Sequence, residues 1–449
     1  MAPRRERDSL AGRLTRYARV SASIGGVAAR AASGRLMGST KEGAVAGELK
    51  KALGGLKGPV MKVAQMLATI PEALPADFAR ELSELQANAP PMGWAFVQRR
   101  MSSELGANWR EQFAEFDKTS AAAASLGQVH RAQSLDRRAL ACKLQYPDMA
   151  AAVEADLGQL SVILAIYRRL DRSIDTRHVL TEIGARLREE LDYELEARHL
   201  NLYAALLAKE ERVHVPRVLP DVSTKRLLTM TWLDGRPLAE MESAPESVRN
   251  EVAEALFRAW YVPFYQAGVI HGDPHLGNYT VAADHSINLL DFGCLRAFQP
   301  KFIEGVIDLY RSVRDDDQDL AMHAFTTWGF ERLTPAVVEV LRVWAEFLYA
   351  PLLEDRPRRL QEIEARGIFG EDIARDVHRR LREEGGVTPP REWVFMNRAS
   401  VGLGAVFLRL RAKLNWHRMF HDLIEDFDVK ALGKRQKAAF DKAGVPLPQ

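Results

Sequence analysis

Apolar residues recur at helical spacing from Lys50 to Leu67 and again from Asp77 to Gln86, with Pro71 and Pro75 marking a turn between them. The Pro90-Pro91 pair closes this stretch, because proline brings no amide to a helix interior. From Phe116 to Leu233 the pattern is mixed. Short runs of strand character, Val129–Ala132, Leu140–Gln145 and Arg226–Trp232, stand beside long helical patterns between Met149 and Lys209, one of them a predicted helix over Arg186–His199. From Ser243 onward the periodicity is almost wholly helical, interrupted by one hairpin-like stretch, Asn278–Leu290. The expected order is thus a helical extension, a small mixed region and a larger helical region.

Length and charge narrow the classes. At 449 residues the chain exceeds the roughly 250–300 residues at which a single core stops growing, so several packed units are expected. The pattern divides it at 1–45 (basic segment), 46–110 (helical extension), 111–233 (mixed lobe), 234–435 (helical lobe) and 436–449 (tail). A net charge of +2 gives no concentrated basic surface for nucleic acid. Cys142 and Cys294 cannot form a disulfide framework, which points to a reducing compartment such as the cytoplasm. The longest apolar runs, among them Leu160–Tyr167 and Val401–Leu408, fall far short of the ~18–20 residues that span a bilayer. Residues 1–40 carry eight Arg against Glu6 and Asp8. That segment reads as a solvated amphipathic helix, as a peripheral contact with an inner-membrane surface, or, in a eukaryotic chain, as a mitochondrial transit peptide.

Candidate chemistry concentrates in His271-Gly272-Asp273-Pro274-His275-Leu276-Gly277-Asn278, followed by Asp291-Phe292-Gly293. Phosphoryl transfer needs oxygens that hold metal against phosphates and a carboxylate that orients the nucleophile. Asp273 with Asn278 five residues later fits a kinase catalytic loop, with Asp273 as base and Asn278 as a metal ligand; Asp291 supplies the second metal-binding oxygen. The ordered pair of motifs is far more specific than either alone, and it implies magnesium and ATP or ADP. Upstream, Leu140-Ala141-Cys142-Lys143 matches the strand that brings a lysine to the α/β-phosphates, and Glu196 is the helical glutamate expected to hold Lys143. No glycine-rich loop precedes Lys143. Its place is taken by the Ala-rich stretch through Ala122, Ala123, Ala124 and Ser125, whose backbone is the candidate cover for the phosphates. Met230 and Trp232 flank Thr231 at the position whose backbone reads adenine in kinases. Gly272 replaces the arginine that pairs with a phosphorylated activation loop, and about six residues separate Gly293 from an amphipathic helix beginning near Pro300. Peptide docking is therefore not expected. His417 and His421 share a helical face but lack an evident third metal ligand.

Taken together, the Ala-rich loop ending Gln128-Val129-His130, the strand Lys143-Leu144-Gln145-Tyr146-Pro147, the catalytic loop and Glu190-Leu191-Asp192-Tyr193 resemble the UbiB/AarF family of atypical kinases. Lys62-Val63-Ala64-Gln65 resembles that family's K-x-G-Q extension, with Ala64 in place of glycine. The resemblance implies an α+β, protein-kinase-like bilobal fold with a mixed N-lobe, a helical C-lobe and the extension packed over the active site. It implies that Lys62 pairs with Glu190 and that Lys62 and Gln65 occlude the peptide-acceptor face. It also implies ATPase or lipid and small-molecule kinase activity, a lipid or quinone-precursor partner, and a role in ubiquinone biosynthesis or membrane-lipid homeostasis. Two other readings suit the residues: an aminoglycoside/choline-type small-molecule kinase, which needs neither Lys62/Gln65 nor Glu190/Asp192, and a nucleotide-gated pseudokinase scaffold.

Overall fold

A computed structural model describes residues 92–124, 126–155, 157–158, 161, 177–360, 371–387 and 389–448. Lys62, Gln65 and Ser125 lie outside them, as do the N-terminal segment and most of the extension. The chain divides into two compact units, residues 1–193 with 220–229, and residues 194–219 with 230–449. The segment 194–219 belongs to the second unit and the segment 220–229 to the first.

The first unit opens with α1 (Trp94–Leu105), followed by the strands β1 (Glu115–Phe116), β2 (Ala122–Ala124), β3 (Gly127–Gln133) and β4 (Ala139–Gln145). Two helices, α2 (Arg177–Glu190) and α3 (Tyr193–Leu206), the latter in the second unit from Glu194 onward, stand where the sequence predicts one continuous helix over Arg186–His199. The break has a tertiary cause. Gln145 Nε2 donates to Leu191 O at 3.0 Å, and Tyr193 N donates to Lys225 O at 3.3 Å, so backbone groups that would continue the helical ladder are taken by distant partners. Strand β5 (Val213–His214) belongs to the second unit, and β6 (Leu227–Thr231) begins in the first. The five-stranded sheet has the order β1-β3-β4-β6 with β2 paired to β3. Antiparallel register sets Val129 opposite Lys143 and Ala124 opposite Gly127.

Buried polar groups organise this unit. Gln128 exchanges bonds with the backbone of Met92 and donates to His130 Nε2 at 2.7 Å, while His130 Nδ1 donates to Asp117 O at 2.8 Å. Burial holds the His130 pKa below its usual value, in keeping with a neutral ring that accepts on one nitrogen and donates from the other. Arg100 and Glu104 form a buried pair on α1; Arg100 donates to Gln145 O and Tyr146 O, and Thr224 Oγ1 donates to Glu104 at 2.7 Å.

The second unit is built on α4 (Glu246–Ala267), whose Val252, Leu256, Trp260 and Phe264 are buried. Gly268 ends that helix in the left-handed region, at φ 65°, and turns the chain directly into β8 (Val269–His271). The predicted hairpin forms as β9 (Tyr279–Val281) and β10 (Ile287–Leu289), with β10 parallel to β5 and β7 (Arg236–Pro237) paired with β9. A second antiparallel pair, unseen in the periodicity, joins β8 to β11 (Leu295–Ala297). The remaining helices are α5 (Pro300–Arg314), α6 (Gln318–Trp328), α7 (Pro335–Tyr349), α8 (Glu371–Glu383), α9 (Arg391–Leu410), α10 (Trp416–Ile424) and α11 (Val429–Ala443). Helix α11 runs across the 435/436 boundary expected from the sequence, and Gln436 is buried, donating to Ala267 O and Phe298 O at 2.8 Å each.

Candidate active site

The catalytic loop is the turn between β8 and β9, and His271 at its start knits it to the Asp291-Phe292-Gly293 segment. The imidazole is buried, 2% exposed, among the rings of Tyr203, Trp260, Tyr279 and Phe292. Its Nε2 donates to Asp291 O at 2.6 Å, and its Nδ1 accepts the Asp273 amide at 3.2 Å. One neutral ring thus ties the backbone of both candidate carboxylate residues. Asn278 Nδ2 donates to Asp273 O at 3.1 Å, and Leu290 N donates to Asn278 O at 3.0 Å. With its amide nitrogen engaged, Asn278 could offer a metal its Oδ1. Tyr279 OH donates to Asp273 O at 3.4 Å and accepts Trp260 Nε1 at 3.1 Å. Burial first, and the Asp273 charge second, push the Tyr279 pKa well above its usual value, so the hydroxyl remains a donor.

Helix α3 supports the other side of that segment. Phe292 N donates to Glu196 Oε1 at 3.5 Å and His199 Nδ1 donates to Phe292 O at 3.1 Å, while Glu196 is 2% exposed. Asp291 Oδ1 accepts Gly293 N at 2.9 Å. Pairing of β11 with β8 begins two residues beyond Gly293, and Gly272 N donates to Cys294 O at 2.6 Å. A Cβ at Gly272 would meet Cys294 O at 2.8 Å and Cys294 Sγ at 2.9 Å. The site that carries an arginine in conventional kinases is therefore sterically closed to any side chain. These residues fit magnesium through their donor chemistry: a carboxylate and an amide oxygen are hard ligands, and magnesium takes only one or two from protein, filling the rest with waters and phosphates. No group of three or more His, Cys, Asp or Glu that could hold a metal ion occurs among the described residues. His417 and His421 stack at 4.1 Å and are engaged with Leu352 O and Tyr310 OH.

In the first unit, Lys143 sits on β4, 8% exposed, with Nζ 5.2 Å from the centroid of Tyr193. The turn carrying Glu190 and Asp192 is joined to the same strand through the Gln145–Leu191 bond. Ala122, Ala123 and Ala124 form β2, hairpinned onto β3, with Ala122 and Ala123 exposed. In the second unit, Met230 bridges Val218, Thr231 exchanges two bonds with the Arg217 backbone and amide at 2.9 Å each, and Trp232 Nε1 donates to Asp234 at 2.9 Å. Asp273, Asn278, Asp291 and Glu196 are thus gathered in one unit, and Lys143 with the Glu190–Tyr193 turn in the other. Sequence reasoning gave no role to His271, Gln145 or Tyr193. The signal available for His271 was its place at the head of the motif.

A mixed unit, a helical unit and, within the latter, a loop and an Asp-Phe-Gly segment tied together by His271 define a protein-kinase-like class with an α+β fold. A family model described as the ABC1 atypical kinase-like domain matches residues 84–324, more than half of the chain. The chain belongs to the ABC1/AarF family of atypical kinases. It is 31% identical to the mitochondrial atypical kinase COQ8 of Saccharomyces cerevisiae over 250 residues, 55% of this chain and 50% of the yeast protein. It is 27% identical to the mitochondrial atypical kinase COQ8B of Rattus norvegicus, covering 93% of this chain and 81% of the rat protein. The chain spans about half the length of the yeast and Caenorhabditis elegans relatives. A solved structure of Rv3197 with erythromycin, from Mycobacterium tuberculosis, is similar with a TM-score of 0.60 and 27% identity over 88% of this chain and 98% of that one. No helix among the described residues is long and apolar enough to cross a membrane.

Proposed function

We propose that this chain binds magnesium–ATP or –ADP and acts as an atypical kinase or ATPase on a lipid, a quinone precursor or water, rather than on peptides, in support of ubiquinone biosynthesis or membrane-lipid homeostasis. The observation that carries the reading is the His271 bridge, which ties the backbones of Asp273 and Asp291 while Asn278 bonds to Asp273 O. Asp273 would orient or deprotonate the acceptor; Asn278 Oδ1 and Asp291 would hold the metal, which when bound draws charge from the phosphates. Lys143, paired with Glu196, would contact the α/β-phosphates, the backbone of Ala122–Ser125 would cover them, and the backbone at Met230 and Trp232 would read adenine. Lys62 and Gln65, with Glu190, would close the peptide-acceptor face, and the basic 1–40 segment would meet an anionic membrane surface. The mitochondrial names of the COQ8 relatives support a mitochondrial setting in a eukaryotic source.

Asp291→Asn tests the metal assignment. A neutral amide is a poorer ligand for a hard cation, so magnesium-dependent nucleotide affinity should fall at least about tenfold in calorimetric titration. Unchanged affinity would remove Asp291 from the site.

A further inference from the structure

The Ala-rich hairpin, the lysine strand and the Glu190–Tyr193 turn meet on one side chain of the first unit, Tyr193, which is 1% exposed. Its ring centroid lies 5.2 Å from Lys143 Nζ, within the range at which an aromatic face attracts an ammonium. Its hydroxyl lies 2.9 Å from the point a Cβ on Gly127 would occupy, and Leu144 O lies 2.2 Å from the same point. Any residue but glycine at 127 would push either the ring or the lysine strand aside. The ring's backbone is tied as well. Gln145, two residues past Lys143 and so on the same face of β4, donates to Leu191 O at 3.0 Å, and Tyr193 N donates to Lys225 O. Gln145 O and Tyr146 O in turn accept from Arg100 on α1 at 3.3 and 3.4 Å.

We infer that Tyr193 is a positioning residue that holds the Lys143 ammonium in place for the nucleotide phosphates, with Gln145 as the tie that seats its ring. The inference rests on the reading of Lys143 as the phosphate-contacting lysine. It predicts a graded series in the full-length chain, read as Mg–ATP affinity by titration calorimetry. Tyr193→Phe keeps the aromatic face and should stay within about twofold of wild type, whereas Tyr193→Leu should bind about five- to tenfold more weakly. Gln145→Met, close in shape but without the amide, should move affinity in the same direction and serves if Tyr193→Leu does not fold, as judged by circular dichroism. Lys143→Ala supplies the cycle: once the ammonium is gone, adding Tyr193→Leu should cost nothing further. A Tyr193→Leu loss of full size in the Lys143→Ala background would make the ring a mere packing element and overturn the inference. So would unchanged affinity in Tyr193→Leu where Lys143→Ala weakens binding. Unchanged affinity in Lys143→Ala itself would instead strike the lysine reading beneath it, and the inference with it.

Discussion

Replacing His271 by phenylalanine isolates the bridge that assembles the catalytic loop. The new ring keeps the aromatic packing against Tyr203, Trp260, Tyr279 and Phe292, so little apolar burial is lost. What disappears is the 2.6 Å bond to Asp291 O and the 3.2 Å bond from Asp273 N. A buried backbone group left without its partner costs about 1–3 kcal/mol. The longer of the two bonds is the weaker, so a total near 3 kcal/mol is expected. If half of that falls on the geometry of the bound state, magnesium–nucleotide affinity drops about tenfold. Urea unfolding followed by tryptophan fluorescence reports the first quantity, and calorimetric titration with and without magnesium reports the second. A variant within about 0.5 kcal/mol of wild type, with unchanged magnesium-dependent affinity, would refute the claim that this imidazole holds the two carboxylate-bearing segments together.

Gly402→Ala on α9 should slow turnover more than it weakens nucleotide binding, because the added Cβ would sit 2.3 Å from Cγ of Pro274, the residue after Asp273; the kcat and KM of ATP hydrolysis separate the two effects. Burial pushes the Cys142 thiol pKa up to about 12, and the thiolate is the reactive form, so below that pH native-state alkylation should label the partly exposed Cys294 and spare Cys142, as peptide mass spectrometry would read. Generic basic peptides should not be phosphorylated at a rate above ATP hydrolysis; robust peptide turnover in a radiolabel assay would contradict the proposed occlusion by Lys62 and Gln65. The eight arginines of residues 1–40 should give salt-sensitive pelleting with anionic vesicles, and equal pelleting of a chain lacking those residues would remove the segment as the contact.

Much of the site was legible because its chemistry is local along the chain. The Asn278–Asp273 bond spans five residues and the hairpin of β9 and β10 folds back on itself, so the spacing of Asp273, Asn278 and Asp291 already implies their proximity. Strands β3 and β4 form at the short runs of strand character, and helix α5 follows from helical periodicity. Periodicity reports which face of an element is apolar; it does not report which distant group will take a particular carbonyl or amide. The break between α2 and α3 was therefore invisible, since it is made by Gln145, 46 residues earlier. The three-residue strands β8 and β11 were likewise too short to show a pattern of their own, and exist because each completes the other. Residue types alone named Glu196 and Phe292, but only the tertiary structure brings the Glu196 carboxylate to the Phe292 amide across 96 residues. Chain-local geometry placed the candidate residues Asp273, Asn278 and Asp291; long-range hydrogen bonds decided what braces them.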